Sequence, residues 1–70
     1  MRIISQNGTL DVNYDNCTFK IKSNCVMAQI LNGKDYIMGK YDTLKRAIEV
    51  MIDIRSSFQV NCKVFKMPTE

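Results

Sequence analysis

From its first residues the chain alternates apolar and polar positions in short runs, each ended by turn-forming residues. Residues 2–6 (RIISQ) and 9–13 (TLDVN) flank Asn7-Gly8. That dipeptide is a strong hairpin signal, because a type I′ turn needs positive φ at both central positions. Residues 17–22 (CTFKIK) set Cys17, Phe19 and Ile21 on one face and Thr18, Lys20 and Lys22 on the other. Ser23-Asn24 turns the chain. Residues 26–31 (VMAQIL) are apolar on both faces, with Val26, Ala28 and Ile30 opposite Met27 and Leu31, as in a central or doubly covered strand. Asn32-Gly33 is a second turn, and residues 35–41 (DYIMGKY) return. The spacing predicts five strands in an antiparallel meander.

After Asp42 the period changes. Asp42 is the predicted N-cap, since its carboxylate can accept a first-turn N–H. Lys45 at the third helical position leaves no reciprocal capping box. At about 100° per residue, Leu44, Ala47, Ile48, Val50, Met51, Ile52, Ile54 and Phe58 cover an arc of about 200°. Lys45, Arg46, Glu49 and Asp53 fill the remainder. One helix on one sheet needs a stripe of about 100° or slightly more. The surplus goes either to a curved sheet that wraps the helix or to a subunit interface, and Val50, Ile52 and Ile54 are the expected interface residues. A last strand is predicted over 58–67 (FQVNCKVFKM). It sets Phe58, Val60, Cys62 and Val64 on one face, with Phe65 and Met67 on the otherwise polar side, and Pro68 closes it. The expected fold is α+β: a five- to six-stranded, mainly antiparallel sheet with one amphipathic helix packed on it, in a single domain over 1–70.

Size changes the picture. A chain of 70 residues buries only about 60% of the surface its unfolded form exposes, and such scaffolds usually lean on disulfides, a metal or a partner subunit. Cys17, Cys25 and Cys62 are an odd number with no Cys-x-x-Cys pair, and there is no His. A zinc site would therefore rest on three scattered thiols and a carboxylate, so no metal is expected. The odd count also speaks against a secreted disulfide framework and for a reducing cytosol. The apolar start is broken by Arg2, Ser5 and Gln6, unlike a signal peptide. No run approaches the roughly 20 apolar residues of a membrane span. Self-association is the support that remains, so a homo-oligomer is expected. A net charge of +3 permits an anionic partner without demanding one.

The lack of His excludes Ser/His and Cys/His nucleophilic pairs. Glu49 and Asp53 lie on the polar side of the helix, where a solvated face is the simpler reading than an acid/base pair. Gly8, Gly33 and Gly39 are isolated and form no phosphate-cradling loop. The cysteines fall on apolar strand faces, as buried and inert thiols do. The chain is expected to be no enzyme and to need no cofactor. Binding is better supported. Lys20, Lys22, Lys63 and Lys66 project from strands, with Tyr14, Tyr36, Tyr41 and Phe65 nearby in sequence order, and nucleic-acid modules use such pairings. Lysines that merely blunt strand edges are the alternative. Arg55 falls within the apolar arc of the helix. Either it snorkels past the helix end or it meets an anion or carboxylate, since Arg suits desolvated bidentate contacts. The candidate contact residues are Lys20, Lys22, Arg55, Lys63 and Phe65.

Three stretches carry a resemblance. MRIISQNGTLDVNY, YDTLKRAIEVMIDI and VFKMP, together about half the chain, resemble the opening, the helix entry and the closing strand of short proteins encoded by phages and mobile elements of Gram-positive bacteria. Asp42 stands where Ser is usual in them, and the second helical segment of many is absent. The resemblance implies an accessory protein acting in the host bacterial cytoplasm, where such proteins often antagonise immunity. The sponge proteins that block Thoeris defence are similar in plan: β-rich oligomers with C-terminal helices that sequester cyclic nucleotide signals at subunit junctions. No ligand residue carries over by position. The expected function is therefore a non-enzymatic anti-defence binder that sequesters an anionic (cyclic) nucleotide or blocks a host defence protein. A small nucleic-acid-binding regulator and a structural assembly subunit are the alternatives.

Overall fold

The computed structural model describes residues 1–31 and 33–70. In chain order it contains β1 (Arg2–Ile4), β2 (Asp11–Asn13), a 3₁₀ turn (Tyr14–Asn16), β3 (Cys17–Lys22), β4 (Cys25–Ile30), β5 (Asp35–Lys40), α1 (Leu44–Gln59) and β6 (Val64–Lys66). The α+β class holds, but the strands form two three-stranded sheets rather than one of five or six. The first has the order β2-β1-β6 and the second β3-β4-β5. Two features divide them. After β2 the Asn13 side chain accepts the Asp15 N–H at 3.0 Å and winds the chain into the 3₁₀ turn, which ends the first ladder. Later, β6 runs parallel to β1, pairing Ile3 with Phe65, and does not extend the meander.

The first tight turn differs from expectation. Asn7 lacks the positive φ that a type I′ turn requires; only Gly8 has it, at 77°. The connection is longer, closed by Gly8 N–H to Ser5 O at 2.9 Å and Ser5 N–H to Leu10 O at 2.9 Å. Asn7 organises it from the side chain, its Oδ1 accepting from Ser5 Oγ, Thr9 N and Thr9 Oγ1. Ser5 is 1% exposed, and its hydroxyl also accepts the Leu10 N–H, so the buried group is satisfied. The two-residue hairpin with positive φ at both centres is instead Ser23-Asn24 (50° and 64°), between β3 and β4. In the second Asn-Gly turn, Asn32 lies outside the described residues, and Gly33 has φ 88°.

The helix starts one residue later than predicted. Thr43, not Asp42, is the N-cap, its Oγ1 accepting the Arg46 N–H at 3.1 Å. It also runs through Phe58 and Gln59, where a strand was expected. The stop is a Schellman arrangement: Cys62 N–H to Ser57 O at 3.0 Å and Asn61 N–H to Phe58 O at 3.1 Å, with Asn61 left-handed at φ 63°. Asn is one of the few side chains that tolerate that region. The last strand therefore shrinks from 58–67 to Val64–Lys66.

The core lies where α1 crosses the inner face of β3 and β4: Ile3, Val26, Ala28, Met38, Tyr41, Ala47, Val50, Ile54 and Met67. A bulge lets β5 contribute. Val26 faces Gly39 while Met27 faces Ile37, so Met38 is the extra residue, and its side chain is buried. Tyr41 then folds over Gly39, where a Cβ would sit 2.6 Å from the Tyr41 Oη. That contact explains the glycine.

Gln6 joins the two sheets. Its backbone N–H donates to Met38 O at 2.7 Å, and its side-chain Oε1 accepts the Lys40 N–H at 2.9 Å. Its Nε2 donates to Lys40 O, Pro68 O and Thr69 O, at 3.1, 3.1 and 2.9 Å. The amide thus imitates a strand residue at the β5 edge and ties down Pro68 and Thr69. The same segment accepts from Tyr41 Oη at Pro68 O (2.9 Å) and from Arg46 Nε at Glu70 O (2.9 Å). Elsewhere, the exposed Arg2 guanidinium pairs with Asp11 across β1 and β2, holding that carboxyl below its ordinary range; exposed pairs of this kind stabilise little.

Two outcomes follow from this junction. Gln6→Ala removes both the acceptor and the donors, and chemical denaturation should show a loss of about 1–3 kcal/mol; an unchanged midpoint would mean that water replaces the amide at no cost. Burial pushes the Tyr41 phenol above its ordinary pKa, with the Arg46 guanidinium opposing. An unfolded phenol loses its proton near pH ~10. Above that pH the folded chain retains a proton the unfolded chain has lost, so stability falls as pH rises through this window. Thermal melts in that range should fall less steeply for Tyr41→Phe, and equal slopes would contradict the assignment.

Candidate functional site

The predicted contact residues do not form one site. Lys20 and Lys22 stand on the outer face of β3, away from the helix, and Lys20 Nζ is already paired with Asp35 Oδ2 at 3.1 Å. Across the ladder Lys20 faces Met27, which in turn faces Ile37, and Lys22 faces Cys25; no aromatic ring joins them. Tyr36 instead faces Ala28 on the inner side, and Tyr41 is buried. Phe65 pairs with Ile3 and packs against the core rather than standing on a polar face; Val64, exposed, takes the outer side. Of the expected interface residues, Val50 (0% exposed) and Ile54 (1%) are used in the chain's own core, and only Ile52 is open.

Arg55 and Lys63 do converge on one region. Tyr14, in the 3₁₀ turn, stacks on Phe19 of β3 with ring centroids 5.4 Å apart and 18° between planes. Its ring also meets Phe58 of α1 at 4.6 Å and 32°. These rings come from three elements, the 3₁₀ turn, β3 and α1. The 3₁₀ turn sets Tyr14 over β3, and the late helix stop keeps Phe58 on α1. A cleft of about 190 Å³ opens on one side, lined by Tyr14, Cys17, Phe19, Met51, Ile54 and Arg55. A second, of about 330 Å³, is lined by Met1, Arg2, Phe58, Asn61, Cys62 and Lys63. The Tyr14–Phe58 contact stands between them.

Charge follows the same division. Arg2 is neutralised by Asp11. Among the described residues, Arg55 and Lys63 have no ion-pair partner, so each brings a full positive charge to its cleft. A guanidinium beside aromatic faces can hold an anion bidentately while a planar group rests on the rings. Nothing in either cleft supplies a nucleophile with a base. No group of three or more His, Cys, Asp and Glu capable of holding a metal occurs among the described residues, nor is any helix there long and apolar enough to cross a membrane.

The ring cluster was the part of the site that sequence reading missed. Phe19 was assigned to the core face, and Phe58 was placed both in the helical arc and at the start of the last strand. The signal available was Asn61: read as a left-handed helix stop, it keeps Phe58 on the helix, one turn from Arg55 and two from Met51. The same stop exposes Cys62, expected among buried thiols, while Cys25 is buried and Cys17 half-buried. Burial pushes the Cys17 thiol up, which suppresses its thiolate. A thiol reagent under native conditions should therefore modify Cys62 first, Cys17 slowly and Cys25 only on unfolding; equal rates for Cys62 and Cys25 by mass spectrometry would contradict the helix stop.

No family model, curated protein or solved structure matches this chain.

Proposed function

We propose that the chain is a non-enzymatic binding protein whose twin clefts take a small anionic ligand with a planar ring, a nucleotide by class. The observation that carries this reading is the Tyr14–Phe58 ring pair set between two uncompensated cations, Arg55 and Lys63. Base stacking on an aromatic face contributes about 1–3 kcal/mol, and a charge-assisted contact about 1.5–3 kcal/mol. Together these suit a weak to moderate binder that sequesters its ligand without transforming it. The resemblance to phage and mobile-element proteins supports placing this activity in a host bacterial cytoplasm, as interference with a nucleotide defence signal. A nucleic-acid regulator is less well supported, because the outer lysine face carries Met27 and Ile37 rather than rings.

Calorimetry and thermal shift with mononucleotides and cyclic nucleotides, including cyclic ADP-ribose isomers, test this reading. Binding that raises the melting temperature is expected. Arg55→Ala should weaken it about tenfold or more, by loss of a charge-assisted contact, while Lys22→Ala leaves it unchanged. No shift with any member of the panel at millimolar ligand would refute the nucleotide reading. Binding only to oligonucleotides, with a steep salt dependence, would favour the regulator instead.

A further inference from the structure

Helix α1 has a second apolar ridge that the fold does not use. Ala47, Val50 and Ile54 face the core, whereas Leu44, Ile48 and Ile52 are 52, 43 and 51% exposed. Spaced four residues apart, these three drift only about 80° around the helix, forming one continuous row about 12 Å long. Isolated exposed aliphatics are ordinary; three in one row on a chain with so small a core are not.

The charges beside the row say what covers it. Lys45 and Glu49 lie one turn apart on the same flank. Among the described residues Lys45 has no ion-pair partner, and the exposed Glu49 has a 3.4 Å contact with Arg46. Turning a second copy antiparallel about Ile48 sets Ile48 against Ile48 and Leu44 against Ile52, and brings the two Lys45/Glu49 flanks together on one side, each Lys45 about 3 Å along the axis from the opposite Glu49. A parallel copy would put the two flanks on opposite sides of the contact, where Lys45 and Glu49 do not meet. The row is thus self-complementary in shape and charge under a two-fold axis perpendicular to α1, as an isologous interface allows.

We propose that the Leu44-Ile48-Ile52 row docks antiparallel on the same row of a second copy, forming a two-fold dimer through α1. It replaces the Val50/Ile52/Ile54 surface expected from sequence and does not depend on what the clefts bind. Stable interfaces bury about 800 Å² per partner. A two-turn row offers less, so the dimer is weak and concentration-dependent.

Sedimentation and light scattering from micromolar to millimolar protein test this. The parent chain is expected to pass from monomer to dimer across the range, with a melting temperature that rises with concentration. Ile48→Glu should leave the dilute melt unchanged and raise the dissociation constant more than about tenfold, and Leu44→Lys should do the same as an independent variant. Lys45→Glu and Glu49→Lys should each weaken the dimer, and the two together should restore it. A parent that stays monomeric at millimolar concentration would overturn the proposal. So would a dimer indifferent to both apolar-row variants, or a double charge swap that restores nothing.

Discussion

The amide of Gln6 is the point on which the rest of the fold depends. Each sheet has only three strands, and a small open sheet of that kind has little stability alone. Gln6 meets the β5 edge with its backbone and both side-chain atoms, and it fastens Pro68 and Thr69 over the seam. With that seam closed, Ile3 from the first sheet and Val26, Ala28 and Met38 from the second share one core under α1, and Met67 seals it. Hydrophobic burial provides most of the stability, but it can do so only if the two sheets are held in one geometry. A few hydrogen bonds supply that geometry.

The site inherits its form from the same division. Because the chain breaks into a 3₁₀ turn rather than continuing the ladder, Tyr14 is set over Phe19 instead of pointing into a strand face. Because the helix ends at a left-handed Asn61, Phe58 reaches Tyr14 from the other side. The cations Arg55 and Lys63 then stand on either side of a ring cluster that no single element could build. The surface opposite, on the outer face of β3, has lysines without rings. This asymmetry separates the two surfaces more sharply than lysine counts do.

Much of the local structure was legible in the residues. The alternation of β3, the double apolar character of β4 and the amphipathic helix follow from periodicity, which the chain obeys wherever one face is buried. Long-range pairing was not legible. Nothing in VFK states that it will lie parallel to RII, since register there is set by a helix that ends two residues later than its strand-like alternation suggests. Turn chemistry misled in one case and hid in another: Asn7-Gly8 suggested a type I′ hairpin, whereas Ser23-Asn24 formed one without glycine. Gln6 gave no signal at all, because a single amide bridging two sheets has no spacing by which to recognise it. For the site, two of the five candidate residues, Arg55 and Lys63, stand at the clefts; the ring cluster was hidden by that same boundary at Phe58 and by the 3₁₀ turn that sets Tyr14 over Phe19.

Native-state hydrogen exchange, resolved by residue, tests the seam most directly. If Gln6 locks the sheets together, the amides of Gln6 and Lys40, bonded across the seam, exchange only through global unfolding. Their protection then equals that of Val26 and Ala28 in the core. Exchange of those two amides at the rate of a fraying edge, while Val26 and Ala28 stay protected, would show two loosely joined sheets and contradict the account.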